Sequence, residues 1–105
     1  MRVRLVGIEN PNTIVLGEFP MLIGKAPDTD VQLSDSTPGN YHCLISWIAG
    51  DLVIRDLGAG GSTFVNGLPV TRTNLKEGDT LKLGTNEFSV RYERNPQRYL
   101  FGVRC

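Results

Sequence analysis

Three short stretches hold the residues that could do chemistry. The first is Lys25. The second is Ser34, Ser36, Thr37, Gly39 and Asn40, and the third is Gly60, Gly61, Ser62 and Thr63. Together they offer one ammonium, several hydroxyls, one amide and the backbone N–H groups of glycines. That set suits an anion nest or a grip on a peptide backbone. The same residue types are also ordinary turn formers. Nothing comparable points to turnover. His42 has no nucleophile paired with it by spacing, and Cys43 and Cys105 do not make a metal-ligand pattern. Gly58-Ala59-Gly60-Gly61-Ser62 is Gly-rich, but no Lys follows it and no helix is expected after it, so it is not a phosphate loop. The reading is a binding protein, not an enzyme, with no catalytic residue, metal or cofactor.

Charge near these stretches runs the wrong way for a dianion. From residue 25 to 42 the charged side chains are Lys25, Asp28, Asp30 and Asp35, one positive against three negative, a net of −2 with His42 neutral. Arg55 or Arg72 would have to swing across to offset it. The aspartates also fit as turn caps, and the two roles are compatible.

The elements that position these residues are strands. Two apolar runs, Cys43–Ile48 and Leu52–Ile54, are joined by Ala49-Gly50-Asp51, a hairpin signal. The far ends of a hairpin's strands lie together. The loops Asp35–Asn40 and Leu57–Ser62 should therefore meet at one edge of the fold. Before the hairpin, strands are expected over residues 2–8, Thr13–Phe19, Met21–Ile23 and Val31–Leu33, with a turn at Glu9–Asn12 and a loop at Ala26–Asp30. After it, Asn66-Gly67 between Phe64-Val65 and Leu68–Val70 is a type I′ hairpin signal. Arg72–Gly78 reads as a connection, Gly78-Asp79 as a turn, and Thr80–Leu83 as a strand. Glu87–Glu93 alternates cleanly, with Phe88, Val90 and Tyr92 on one face. No window reads as a helix. Roughly ten short strands make an all-β sandwich.

With 105 residues, 40% hydrophobic and 21% charged, the chain suits one globular domain. We expect that domain over residues 1–94, followed by a tail, 95–105. Tyr99-Leu100-Phe101 in the tail is expected to pack back on the sandwich; docking on a partner is the alternative. Eleven basic residues balance eleven acidic ones, which argues against nucleic acid as a partner. No apolar run approaches the roughly 20 residues of a membrane helix, and Met1–Leu5 lacks the apolar core of a signal peptide. The expected compartment is the cytoplasm, with Cys43 a buried core residue and Cys105 a free thiol.

The order of signals resembles the forkhead-associated (FHA) domain from about Arg2 to Glu93. That family's pattern is Gly-Arg, then Ser-Arg-x-His, then Asp-Leu-Gly-Ser-x-Asn-Gly-Thr, then Asn-Gly and Gly-Asp. This chain has Gly24-Lys25, Gly39-Asn40-Tyr41-His42, Asp56–Thr63, Asn66-Gly67 and Gly78-Asp79. The resemblance implies a twisted antiparallel sandwich of about eleven strands (FHA/SMAD-like), with loops at one end that bind phosphothreonine peptides. In the family an arginine and a serine grip the phosphate, and an asparagine holds the peptide backbone. Here the two arginine positions are Lys25 and Asn40, the serine is Gly39 and the asparagine is Gly61. A phosphate carries about −1.5 to −2, and Lys cannot copy the planar fork of Arg. The framework implied by the resemblance remains: Gly24, His42, Asp56, Gly58, Thr63, Asn66, Gly67, Gly78 and Asp79.

The expected function is a protein-protein interaction module that has lost ordinary phosphothreonine recognition and binds or scaffolds independently of phosphate. The alternative is a signalling adaptor that reads phosphothreonine peptides with altered contacts, Lys25 and Asn40 on the phosphate and Ser62 or Thr63 on the peptide. Self-association through strand edges or the Tyr99–Phe101 tail is a further expectation.

Overall fold

A computed structural model describes residues 2–8, 13–33, 40–58 and 62–93. The sequence readings for the Glu9–Asn12 turn, for Ser36, Thr37, Gly39 and Gly61, and for Cys105 and the tail lie outside the described residues. Among the described residues there are eleven strands: β1 (Arg2–Gly7), β2 (Thr13–Leu16), β3 (Met21–Gly24), β4 (Val31–Gln32), β5 (Cys43–Ile48), β6 (Asp51–Asp56), β7 (Thr63–Val65), β8 (Leu68–Pro69), β9 (Arg72–Asn74), β10 (Thr80–Leu83) and β11 (Asn86–Glu93). No helix occurs among the described residues, and none is long and apolar enough to cross a membrane.

The strands form two sheets. One has six strands in the order β2-β1-β11-β10-β7-β8, and the other has five in the order β4-β3-β5-β6-β9. Every ladder is antiparallel except β3–β4, which is parallel. Period-two alternation buries one face of each sheet. Val3, Leu5, Leu81, Leu83, Phe88 and Val90 from the first meet Ile23, Cys43, Ile45, Leu52 and Ile54 from the second, with Leu33 and Leu75 closing the sides. Each fully buried aliphatic contributes about 1.5–3 kcal/mol, so this interlayer carries most of the stability. Burial in it pushes the Cys43 thiol far above its ordinary range. The thiol is therefore a small core group and not a nucleophile.

One end of the sandwich is clasped by rings. Trp47 on β5 meets Phe19 and Tyr92 edge-on, with centroids 5.9 and 5.8 Å away, and the Tyr92 hydroxyl donates to the Leu75 carbonyl. The β5–β6 turn is tighter than its sequence suggests. Ile48 pairs with Asp51, leaving only Ala49 and Gly50 at its tip, both with positive φ.

The connection expected over Arg72–Gly78 is corrected. Its first three residues are β9, paired with β6 through Val53↔Asn74, Ile54↔Thr73 and Arg55↔Arg72. Arg-Thr-Asn has no apolar alternation to announce a strand; the free edge of β6 supplies the hydrogen bonds that make it one. The second strand also stops early, at Leu16, and a bend with a cis Phe19–Pro20 peptide follows it.

Candidate functional site

At the end opposite the aromatic clasp, three connections are fastened together by backbone and side-chain hydrogen bonds. The first fastening is at Gly24, where β3 ends. A Cβ built there would sit 2.0 Å from the Asn40 carbonyl oxygen, so only glycine lets the two backbones approach. The Ala26 amide donates to that same carbonyl at 3.1 Å, and the His42 amide donates to the Ile23 carbonyl at 2.7 Å. Lys25 is thus flanked by two residues held against Asn40.

The second fastening is His42, which is fully buried. Its carbonyl accepts the Leu57 amide at 2.9 Å, tying the end of β6 to the start of β5. Its Nε2 lies 3.2 Å from the Ser62 carbonyl. A carbonyl only accepts, so Nε2 carries the proton. Burial lowers the His42 pKa, opposed by the Ser62 hydrogen bond and the charge of Asp56. The ring is a neutral brace across the loops. The Gly84 amide takes the same Ser62 carbonyl from the other side at 3.0 Å.

The third fastening is the Asp56 carboxylate. It accepts the Thr63 hydroxyl at 2.6 Å and the Gly58 amide at 3.1 Å, closing both ends of the loop between β6 and β7. Thr63 is fully buried. Its hydroxyl is engaged by Asp56 inside the fold. Farther along the same sheet, Asn66 Nδ2 donates to Asp79 at 3.0 Å and Asn66 Oδ1 accepts the Thr80 amide at 2.9 Å. Asn66 and Gly67 both have positive φ, as a type I′ turn requires.

The rim of this end is acidic among the described residues. The Tyr41 hydroxyl donates to both oxygens of Asp28 at 3.0 Å, which raises the Tyr41 pKa. This contact spans 13 residues and sets a carboxylate beside the residue that follows Asn40. Asp30 caps β3 by accepting the Leu22 amide at 2.7 Å. Arg55 and Arg72 sit opposite each other on β6 and β9, and no carboxylate among the described residues pairs with either.

The FHA domain family model matches residues 21–84. This chain belongs to the FHA domain family. Such domains are interaction modules and not enzymes. The FHA domain-containing protein FhaA of Mycobacterium tuberculosis is 33% identical over 79 residues, covering 75% of this chain and 15% of FhaA. The chain therefore spans a small part of that curated relative. A domain solved in a study of phosphothreonine-dependent FHA domain interactions superposes with a TM-score of 0.79 at 29% identity, covering 90% of this chain and all of that one. The FhaA FHA domain, solved in complex with an intracellular domain of another protein, gives a TM-score of 0.76 at 28% identity over 87% of this chain and all of that one.

In this FHA domain, the described loop candidates fall into two groups. Lys25 and Asn40 are brought side by side by the Gly24 and Ala26 backbone. Ser62 has its carbonyl pinned by His42 and Gly84. The Tyr41–Asp28 contact and the Thr63–Asp56 bond are features that sequence reasoning did not find. In the sequence, Tyr41 is the unspecified position between Asn40 and His42, and Asp28 is only a charge.

Proposed function

We propose that this FHA domain is a protein-interaction module that engages its partner without ordinary phosphothreonine capture. The observation that carries this reading is the Asp28 carboxylate, held by Tyr41 next to Asn40, on a rim where Lys25 is the one described cation. A dianion brought there meets an acidic group and a single ammonium in place of guanidinium forks. The Thr63 hydroxyl, which could have met a peptide, is buried on Asp56. The partner is a protein or peptide, in keeping with the FhaA domain solved on another protein's intracellular domain. A calorimetric titration with a degenerate phosphothreonine peptide library tests the reading. No heat is expected; micromolar binding that phosphatase abolishes would overturn it.

A second reading is a phosphothreonine reader with altered contacts. The backbone tie from Ala26 to Asn40 favours it, since it holds Lys25 and Asn40 as neighbours. The similarity to a domain from phosphothreonine-dependent interactions also favours it. On this reading Lys25→Ala abolishes phosphopeptide binding, and affinity falls steeply with salt. Binding that survives Lys25→Ala removes its basis.

A further inference from the structure

We propose a second interaction surface on the outer face of the five-stranded sheet, built on Arg55 and Arg72 and fitted to an acidic peptide segment. It stands on the strand register and the side-chain exposure of the sheet's outer face. The register places Leu22, Leu44, Arg55 and Arg72 in one row across β3, β5, β6 and β9. Their outward direction follows from alternation: Ile23, Cys43, Ile45 and Ile54 point into the core.

Like charges directly opposite each other on neighbouring strands repel and destabilise the pairing. Here both arginines are exposed, and neither has a carboxylate partner among the described residues. The acids around this face do not answer them. Asp51 lies at the hairpin tip, four residues along β6 and so roughly 13 Å from Arg55. Asp30 lies at the far edge and is occupied by the Leu22 amide. Asp56 faces the other side and takes Thr63 and Gly58.

The surroundings are mixed. Leu44, directly across from Arg55, and Leu22 beyond it are half-buried, while Val53 is nearly buried on this outer face between Ser46 and Asn74 and stands apart from the core cluster. Exposed Leu57 follows two residues after Arg55. β9 is also an edge strand among the described residues, and the outer backbone groups of an edge strand can pair with another chain. Two adjacent guanidinium forks, in one row with the half-buried Leu44 and Leu22 and beside a sheet edge, suit an extended peptide with Asp or Glu side chains flanked by apolar ones.

The test uses the full chain, nitrogen-15 labelled, and a synthetic decamer alternating Glu with Leu and Val. Controls are the same decamer with Gln for Glu, and a single-stranded oligonucleotide of equal charge. Amide shifts centred on Leu44, Arg55, Arg72 and Thr73 are expected with the acidic decamer alone. Arg55→Gln with Arg72→Gln should weaken binding at least tenfold, while Lys25→Ala leaves it unchanged. Arg72→Glu should remove binding and leave the urea midpoint equal or higher, since it turns a repulsion into an ion pair. Shifts centred elsewhere, affinity within twofold in the double variant, or tighter binding of the oligonucleotide would each overturn the proposal.

Discussion

Thr63 and Asp56 hold each other across the base of the loop between β6 and β7, with the buried hydroxyl donating to the carboxylate at 2.6 Å. The bond joins the two sheets at the candidate site, because Asp56 ends a strand of one and Thr63 begins a strand of the other. Thr63→Val keeps the shape and removes the donor. A hydrogen bond to a charged group contributes about 1.5–3 kcal/mol. We expect a loss of that size in urea unfolding, and a smaller one for Thr63→Ser, which keeps the hydroxyl. A Thr63→Val midpoint equal to that of the unaltered chain would show the bond to be dispensable.

The approach of Gly24 to Asn40 predicts a second, steric cost. A methyl group 2.0 Å from a backbone carbonyl oxygen cannot be met by a rotamer change. The strand end or the loop must move, with a penalty of roughly 1–3 kcal/mol or more. Gly24→Ala should therefore lower the unfolding midpoint. It should also loosen the Ala26–Asn40 bond, seen as faster amide exchange at Ala26. Gly17→Ala is the control, because nothing lies within 4 Å of a Cβ there. Equal effects of the two substitutions would contradict the close approach.

The sandwich was legible because its signals are local. Asn66-Gly67 must turn, Glu87–Glu93 alternates over a whole strand, and the Cys43–Ile48 run meets its partner across a two-residue tip. β9 was not legible, since Arg72-Thr73-Asn74 becomes a strand only through the waiting edge of β6. At the candidate site, the sequence supplied residue types without partners. Nothing local distinguishes Thr63, spent on a carboxylate seven residues back, from a hydroxyl that faces solvent. Nor does spacing show that Tyr41 reaches Asp28 across 13 residues. Both depend on how loops from different strands are laid against each other.

His42 predicts a pH dependence whose sign is fixed. Burial lowers its folded pKa beneath the ordinary imidazole value of about 6.5. Between the two values the unfolded chain binds more protons, so stability falls as pH falls. The contribution is full above about 6.5 and is drawn down as pH drops from there toward the lowered folded value. His42 is the only histidine in the chain, which makes the interval from pH 7.5 to 5.5 informative. Urea midpoints should drop across it in the unaltered chain and drop less in His42→Gln, which retains an N–H for the Ser62 carbonyl. A parallel slope in the variant, or stability gained on acidification, would count against a neutral buried ring.

The hairpin tip predicts a gain. Ala49 has φ of 52° and Gly50 has φ of 85°, the left-handed pair of a type I′ turn. Alanine meets a Cβ penalty in that region, whereas asparagine tolerates it through local hydrogen bonding. Asn-Gly is also the pair already used at Asn66-Gly67. Nothing lies within 4 Å of a Cβ at Gly50, so the tip has open space around it. Ala49→Asn should raise stability by roughly 0.5–1 kcal/mol, read as a higher urea midpoint with an unchanged slope. Ala49→Val should lower it, because a β-branched side chain is least compatible with positive φ. Trp47 lies two residues before the tip and is the only tryptophan in the chain, so its fluorescence follows both variants. If Ala49→Asn lowers the midpoint while Ala49→Val does not, the left-handed conformation at Ala49 is wrong and the tip must be built on another turn.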